Sequence, residues 1–113
     1  ISRKVVFHAT AVFAAGAYDY VRGPTGPPVQ RVAVRDCTIR NCFGRGVAFY
    51  AVTRGIVERC TIEDTVDEAV DLDHFAVGCV VQLNAVARCG VHRTAGERRN
   101  EAEALRGADV RRP

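Results

Sequence analysis

Methionine and tryptophan are missing outright from the 113 residues. With no initiator Met ahead of Ile1, the chain reads as a piece of a longer protein or as an incompletely read gene. Also missing is any apolar run near the ~20 residues that a membrane-spanning helix needs, so no membrane span is expected. The opening Ile1–Ala17 has Arg3 and Lys4 ahead of Val5-Val-Phe7 and Ala11–Ala15. His8 and Thr10 interrupt that apolar stretch and no clean cleavage site follows, so it is not read as a signal peptide. A signal could lie upstream of Ile1, so the compartment stays open.

Single-sign charge is scarce as well. The net charge is +3, and much of the excess lies in Arg93, Arg98, Arg99, Arg106, Arg111 and Arg112. Glu97, Glu101, Glu103 and Asp109 break up that basic stretch, so a nucleic-acid partner is not expected. Zinc-ligand spacing is lacking too: Cys37 and Cys42 are separated by four residues, and the five cysteines are an odd number. They read as small, polarisable fillers and no metal site is assigned to them. The alternative is a Cys37–Cys60 disulfide between neighbouring strands about 4.8 Å apart. His8 and His92 stand alone. Gly44-Arg-Gly46 is read as a bend, because no helix follows to make it a phosphate loop.

No apolar stripe of helical period links the strand-like segments. What recurs is a repeat. Val34-Arg-Asp-Cys-Thr-Ile-Arg-Asn-Cys42 aligns with Val57-Glu-Arg-Cys-Thr-Ile-Glu-Asp-Thr65 at a spacing of 23, from Cys37 to Cys60. Val81-Gln-Leu-Asn-Ala-Val-Ala-Arg-Cys89 follows at 24, from Cys60 to Asn84. A weaker copy upstream places Val5, Phe7, Thr10, Val12 and Ala15 with Val32, Val34, Cys37, Ile39 and Cys42 at a spacing of 27. The surplus length is assigned to Gly23-Pro-Thr-Gly-Pro-Pro28, which is turn chemistry throughout.

Each copy carries short alternations such as Val32-Ala-Val34, Thr38-Ile39-Arg40 and Val70-Asp-Leu72. Period two means strands with one buried face. A repeat this short has no room for two strands and a crossover helix. The expectation is an all-β solenoid of about three to four turns, stacked by parallel pairing. Its ladders would be Thr10/Cys37/Cys60/Asn84, Val12/Ile39/Ile62/Val86 and Ala15/Cys42/Thr65/Cys89. Residues 1–91 would form the repeats, with a loop insertion at 23–28. Residues 92–113 would be a charged, non-solenoid tail: disordered, a weak capping helix over Ala95–Leu105, or the product of a reading-frame error. Unpaired edges at the two ends leave the oligomeric state open.

Cys37-Thr-Ile39, Cys60-Thr-Ile62 and Asn84-Ala-Val86 resemble the repeated small-polar-x-Ile unit of right-handed parallel β-helix proteins, over about Val5 to Gly90. That superfamily includes pectate-lyase-like enzymes, alginate lyases, mannuronan epimerases and periplasmic copper-site maturation proteins. The resemblance implies a right-handed coil and a secreted or cell-envelope location. The repeat itself is structural and shared by many chemistries.

The most distinctive segment for chemistry is Asp67-Glu68-Ala-Val-Asp71-Leu-Asp73-His74. If Val70 and Leu72 point inward, Asp71 and Asp73 share the outward face, with His74 at the strand end and Asp67 and Glu68 in the bend before. Paired carboxylates beside a His suit acid–base work, or Ca²⁺ with its oxygen ligands. In the resembling lyases and epimerases, such residues on an exposed sheet face bind uronic-acid polymers, often near Ca²⁺. The Asp-Leu-Asp-His stretch is similar to an epimerase Asp-Pro-His motif but lacks the Pro.

By that resemblance Asp71, Asp73 and His74 are the candidate catalytic residues, on a polysaccharide substrate. One repeat earlier, Ala48 and Tyr50 take the corresponding outward positions and Arg45 the bend. There Tyr50 can stack on a sugar and Arg45 can pair with a carboxylate. Two functions stay open: a lyase or epimerase on an acidic polysaccharide, and a non-catalytic structural or carbohydrate-binding module.

Overall fold

The computed structural model describes residues 10–90 and the two-residue strand Val110–Arg111. Val5, Phe7 and His8, and the possible helix over Ala95–Leu105, lie outside the described residues. Those described are all-β, without helix, and the strands pair mostly in parallel. Accordingly no helix among them is long and apolar enough to cross a membrane.

Three parallel sheets carry the architecture. The first joins β1 (Val12–Ala15), β7 (Val47–Tyr50) and β11 (Val70–Asp73). The second joins β6 (Thr38–Cys42), β10 (Thr61–Thr65) and β13 (Ala85–Ala87). The third joins β5 (Ala33–Arg35), β9 (Ile56–Glu58), β12 (Val80–Gln82) and β14 (Val110–Arg111). A short parallel pair of β4 (Val29–Gln30) and β8 (Val52–Thr53) lies beside them, and β2 (Tyr18–Asp19) with β3 (Gly23–Pro24) forms an antiparallel hairpin.

Register follows the repeat. Ile39 pairs with Ile62 and Ile62 with Val86, while Cys42 faces Thr65. Val34, Val57 and Val81 likewise stand in line. With alternate residues on one face, these ladders meet in a shared interior. Phe49, Val47, Val52, Val57, Ile62 and Val70 are fully buried there, and Cys60, Cys79 and Cys89 fill the gaps between them. All five cysteines are free thiols, with only Cys37 exposed. Asn84 replaces cysteine in its ladder and supplies hydrogen bonds instead. Its Oδ1 accepts from the Cys60 amide at 2.8 Å and its Nδ2 donates to Val57 O at 3.0 Å.

The upstream copy pairs differently from the expected alignment. Val12 faces Val47 and Ala15 faces Tyr50, a spacing of 35 residues where 27 had placed them with Ile39 and Cys42. Val12 therefore extends the Val47/Val70 ladder. Relative to the next repeat at 23, this one is 12 residues longer. The surplus starts upstream of Gly23, because the hairpin already begins at Tyr18. A short Val-x-Ala alternation fits either strand of the repeat, so the pattern by itself did not separate them. In the stretch expected to be a non-repeating tail, Val110 and Arg111 pair with Val81 and Gln82 and extend the third sheet.

The strands turn from sheet to sheet through left-handed residues that recur with the repeat. Arg31, Arg54 and Gly78 form one such row; Asp36, Arg59 and Leu83 a second; Asn41, Asp64 and Arg88 a third. A Cβ in this conformation costs about 1–2 kcal/mol except where Asn, Asp or Gly relieves it. Gly46 meets a different constraint, close approach: a Cβ there would lie 2.5 Å from Ala69 O and 2.8 Å from Ile62 Cγ2.

Two substitutions test these corners by chemical denaturation. Gly46→Ala should destabilise the chain by about 1–3 kcal/mol through overpacking. Arg54→Gly should stabilise it by about 0.5 kcal/mol, since relief of the left-handed backbone exceeds the added freedom of the unfolded chain.

Candidate functional site

Alternation along β1, β7 and β11 divides the first sheet into two faces. Val12, Ala14, Val47, Phe49, Val70 and Leu72 pack on the core. Phe13, Ala15, Ala48, Tyr50, Asp71 and Asp73 share the opposite face, aligned as Phe13/Ala48/Asp71 and Ala15/Tyr50/Asp73. The expectation of a solvated outward face fails at its centre, because Asp71 is fully buried and Tyr50 and Arg45 are both 6% exposed. Two things cover it. Arg45, in the bend ahead of β7, reaches over the sheet, and the β2–β3 hairpin brings Tyr18 against Tyr50, with ring centroids 6.2 Å apart.

Arg45 and Glu68 occupy the same place in successive repeats, 23 residues apart, so register stacks a guanidinium on a carboxylate. Arg45 Nε lies 3.2 Å from Glu68 Oε2 and 2.8 Å from Asp71 Oδ2. Nε–H is aligned on neither oxygen, so at Nε these are contacts of charge more than of hydrogen bonding. The Tyr50 hydroxyl donates to Asp71 Oδ2 at 3.2 Å. Burial, and next the Asp71 carboxylate, push the Tyr50 phenol well above its ordinary value, with Arg45 opposing. The Tyr18 phenol is raised to about 12, first by burial, then by its hydrogen bond to Tyr20 and by the negative charge of Tyr20 and Asp73.

At the end of β11 the chain takes two consecutive left-handed residues, His74 and Phe75. His74 stacks on Tyr18 (centroids 5.4 Å apart, planes at 12°) and stands edge-on to Tyr20 at 4.8 Å and Tyr50 at 4.7 Å. Its backbone amide donates to Asp73 Oδ1 at 2.9 Å.

A pocket of 270 Å³ opens beside these rings, lined by Thr10, Phe13, Ala15, Tyr18, Tyr20, Arg45 and Tyr50. Phe13 meets Tyr50 edge-on at 5.0 Å, and Tyr18 meets Tyr20 edge-on at 5.4 Å. All three tyrosines of the chain line it.

The five expected site residues are thus brought to one place but not to equal access. Arg45 and Asp71 are joined in an ion pair, Tyr50 bridges them to the pocket, and Asp73 and His74 are half-buried at the strand end. Phe13, Tyr18 and Tyr20 were not singled out by sequence. The available signal was two tyrosines, exposed-loop rarities, immediately ahead of a Gly/Pro-rich insertion. For Ca²⁺, no cluster of three or more His, Cys, Asp or Glu suited to a metal occurs among the described residues.

No protein-family model matches the chain, and no curated protein or solved structure matches it either.

Two predictions follow from this burial. Arg45→Ala strands two buried carboxylates and should cost about 3–5 kcal/mol in denaturant unfolding. Because Tyr18 binds its proton more tightly in the folded state, folding stability should fall as pH rises from about 10 to about 12. Tyr18→Phe should remove part of that loss in thermal melts taken across this range, leaving the share of Tyr50, whose phenol is raised as well.

Proposed function

We propose that this chain is a segment of a right-handed parallel β-helix of the pectate-lyase-like type, about three to four turns long, that serves as a non-catalytic carbohydrate-binding module. Handedness rests on physics: a crossover between parallel strands of one sheet is right-handed in almost every case. The coil itself is supported by three parallel sheets visited in the same order at 23- and 24-residue spacing.

One observation carries the binding role: four aromatic rings line a pocket at the surface, while the charged groups beneath it are occupied with one another. Tyr20 is 66% exposed and Phe13 55%, so their rings reach solvent at the mouth. Aromatic faces and edges suit the apolar C–H surface of a sugar, and a Tyr hydroxyl or guanidinium suits its hydroxyl groups. A cavity of about 150 Å³ holds a benzene ring, so this one has room for a single pyranose.

An acid–base role for Asp71 is disfavoured by the same geometry. A general base must reach the proton it removes, and Asp71 is buried beneath Arg45 and Tyr50. Asp73 and His74 remain nearer the surface, where Asp73 Oδ1 accepts from the His74 backbone amide.

Tyrosine fluorescence, unobscured by tryptophan, provides the test. A panel of neutral and uronate oligosaccharides should include saturable binders, with Tyr20→Ala weakening binding about 3- to 10-fold. Uronate polymer with Ca²⁺ should show no formation of new carbon–carbon double bonds. Such turnover, abolished by Asp73→Asn, would overturn the non-catalytic reading in favour of a lyase.

A further inference from the structure

We propose that Cys37 and Cys60 form a thiol–disulfide exchange site, at which a small dissolved disulfide such as oxidised glutathione joins them into a cross-link between successive repeats. Register brings the pair together. Arg35 pairs with Glu58 and Thr38 with Thr61, so Cys37 and Cys60 fall opposite each other on neighbouring parallel segments. Backbone bonds on either side hold that placement. The Asp36 amide donates to Glu58 O at 3.2 Å, and the Thr61 amide to Cys37 O at 2.9 Å. Parallel neighbours stand about 4.8 Å apart, within the Cα separation of about 4.4–6.8 Å that a disulfide spans. No other two of the five cysteines meet in this way. Cys42 and Cys89 have Thr65 between them in their ladder, and Cys79 falls opposite Gly55, one place ahead of the Val80–Ile56 pair.

Both side chains also point the same way. The Cys37 thiol donates to Arg35 O at 3.1 Å and the Cys60 thiol to Glu58 O at 3.4 Å, in each case the carbonyl two residues back. Cys60 Sγ lies 3.6 Å from Val34 O as well, so it leans toward the repeat that holds Cys37. Cys37 is exposed, whereas Cys60 is buried. Burial first of all pushes the Cys60 thiol up, with Cys37 among the lesser influences. That division sets the order of reaction, because the thiolate is the nucleophile and it has to reach the reagent. The Cys37 thiolate attacks one sulfur of the dissolved disulfide, whose S–S bond breaks and expels the first small thiolate. Cys60, deprotonated in turn, attacks Cys37 Sγ; the mixed disulfide breaks and the second small thiolate leaves. The two cysteine protons end on two small thiols, so the protein pair is oxidised and the reagent reduced. The new bond ties the two repeats at the corner that the Asp36–Arg59 ion pair already bridges at 2.8 Å.

The experiment incubates the intact chain, reduced and dilute, with oxidised glutathione and follows it by mass spectrometry and peptide mapping. The mass should fall by two hydrogens, with Cys37 and Cys60 in one cross-linked peptide and Cys42, Cys79 and Cys89 still free. Cys60→Ser should stop at one glutathionyl group on Cys37, and Cys37→Ser should form no cross-link. The cross-linked chain should melt about 5–15 °C above the reduced one, and dithiothreitol should reverse the gain. A glutathionyl group that persists on Cys37 of the unsubstituted chain, a cross-link through any other cysteine, or a disulfide-linked dimer overturns the pairing. So does a cross-linked chain that melts no higher than the reduced one, because the bond would then have closed outside the native geometry. No reaction by a chain that circular dichroism shows to be folded overturns it as well. If Cys60→Ser does not fold, mapping of the unsubstituted chain and Cys37→Ser, at an exposed position, decide the matter alone.

Discussion

Parallel pairing in strict register is the constraint from which the rest of this structure follows. Each repeat lays its residues on the equivalent residues of the one before, so every position has to tolerate its own counterpart about 4.8 Å away. Inside, that favours repetition: Ile39 on Ile62, Val34 on Val57, Val47 on Val70. Outside, repetition of a charge would be repulsive, and there the chain alternates sign. Asp36 is followed by Arg59, Asp64 by Arg88, Arg40 by Glu63 and Arg35 by Glu58, and all four pairs are in contact. Arg59 and Arg88 each grip the preceding corner aspartate with two nitrogens, at 2.8 and 3.2 Å and at 2.7 and 3.1 Å. Exposed pairs of this kind are worth little singly. Their larger effect is on register, since a slip by one residue would set like charges together and turn the aliphatic rows outward.

How much of this could be read from the chain depended on whether a property was local to the repeat. The Ile39/Ile62/Val86 row was legible because a ladder facing the core favours aliphatic residues, and spacing alone then places them. Thr38 and Thr61, and Cys42 and Thr65, came with it. Val12 was misplaced because a hairpin inserted between equivalent strands changes the spacing without changing the alternation. Asp71 was placed on the correct face but in the wrong environment. Period two says which side of a sheet a residue takes, and nothing about what lies over that side. The corner rows were not legible either, because Arg, Leu and Phe are poor candidates for left-handed backbone, and only the recurrence of the bend forces them into it.

Long-range coverage explains why the candidate site departs most from expectation. Tyr18 and Tyr20 belong to the insertion, some fifty residues from His74 in sequence, yet Tyr18 stacks on it and Tyr20 meets it edge-on. Nothing within a 23-residue window announces that contact. The burial of Arg45, Glu68 and Asp71 is a consequence of the same coverage, because register stacks Arg45 on Glu68 beneath the outer layer.

The change of spacing from 23 to 24 residues also belongs to this site. Asp73 still pairs with Tyr50 at 23, whereas Val77 already pairs with Thr53 at 24. The additional residue therefore enters between them, where His74 and Phe75 are both left-handed and the equivalent bend one repeat earlier has Ala51 alone. A stack of parallel strands that keeps its period has no reason to widen one corner, and a bulge that re-aims a side chain is a recurrent device beside binding sites. Here it sets the His74 imidazole among three tyrosine rings. The 12-residue insertion and the single extra residue lie in different repeats, but they meet at one wall. Both irregularities of the repeat thus build the same aromatic cluster, which ties the pocket to the two departures from an otherwise regular stack of strands.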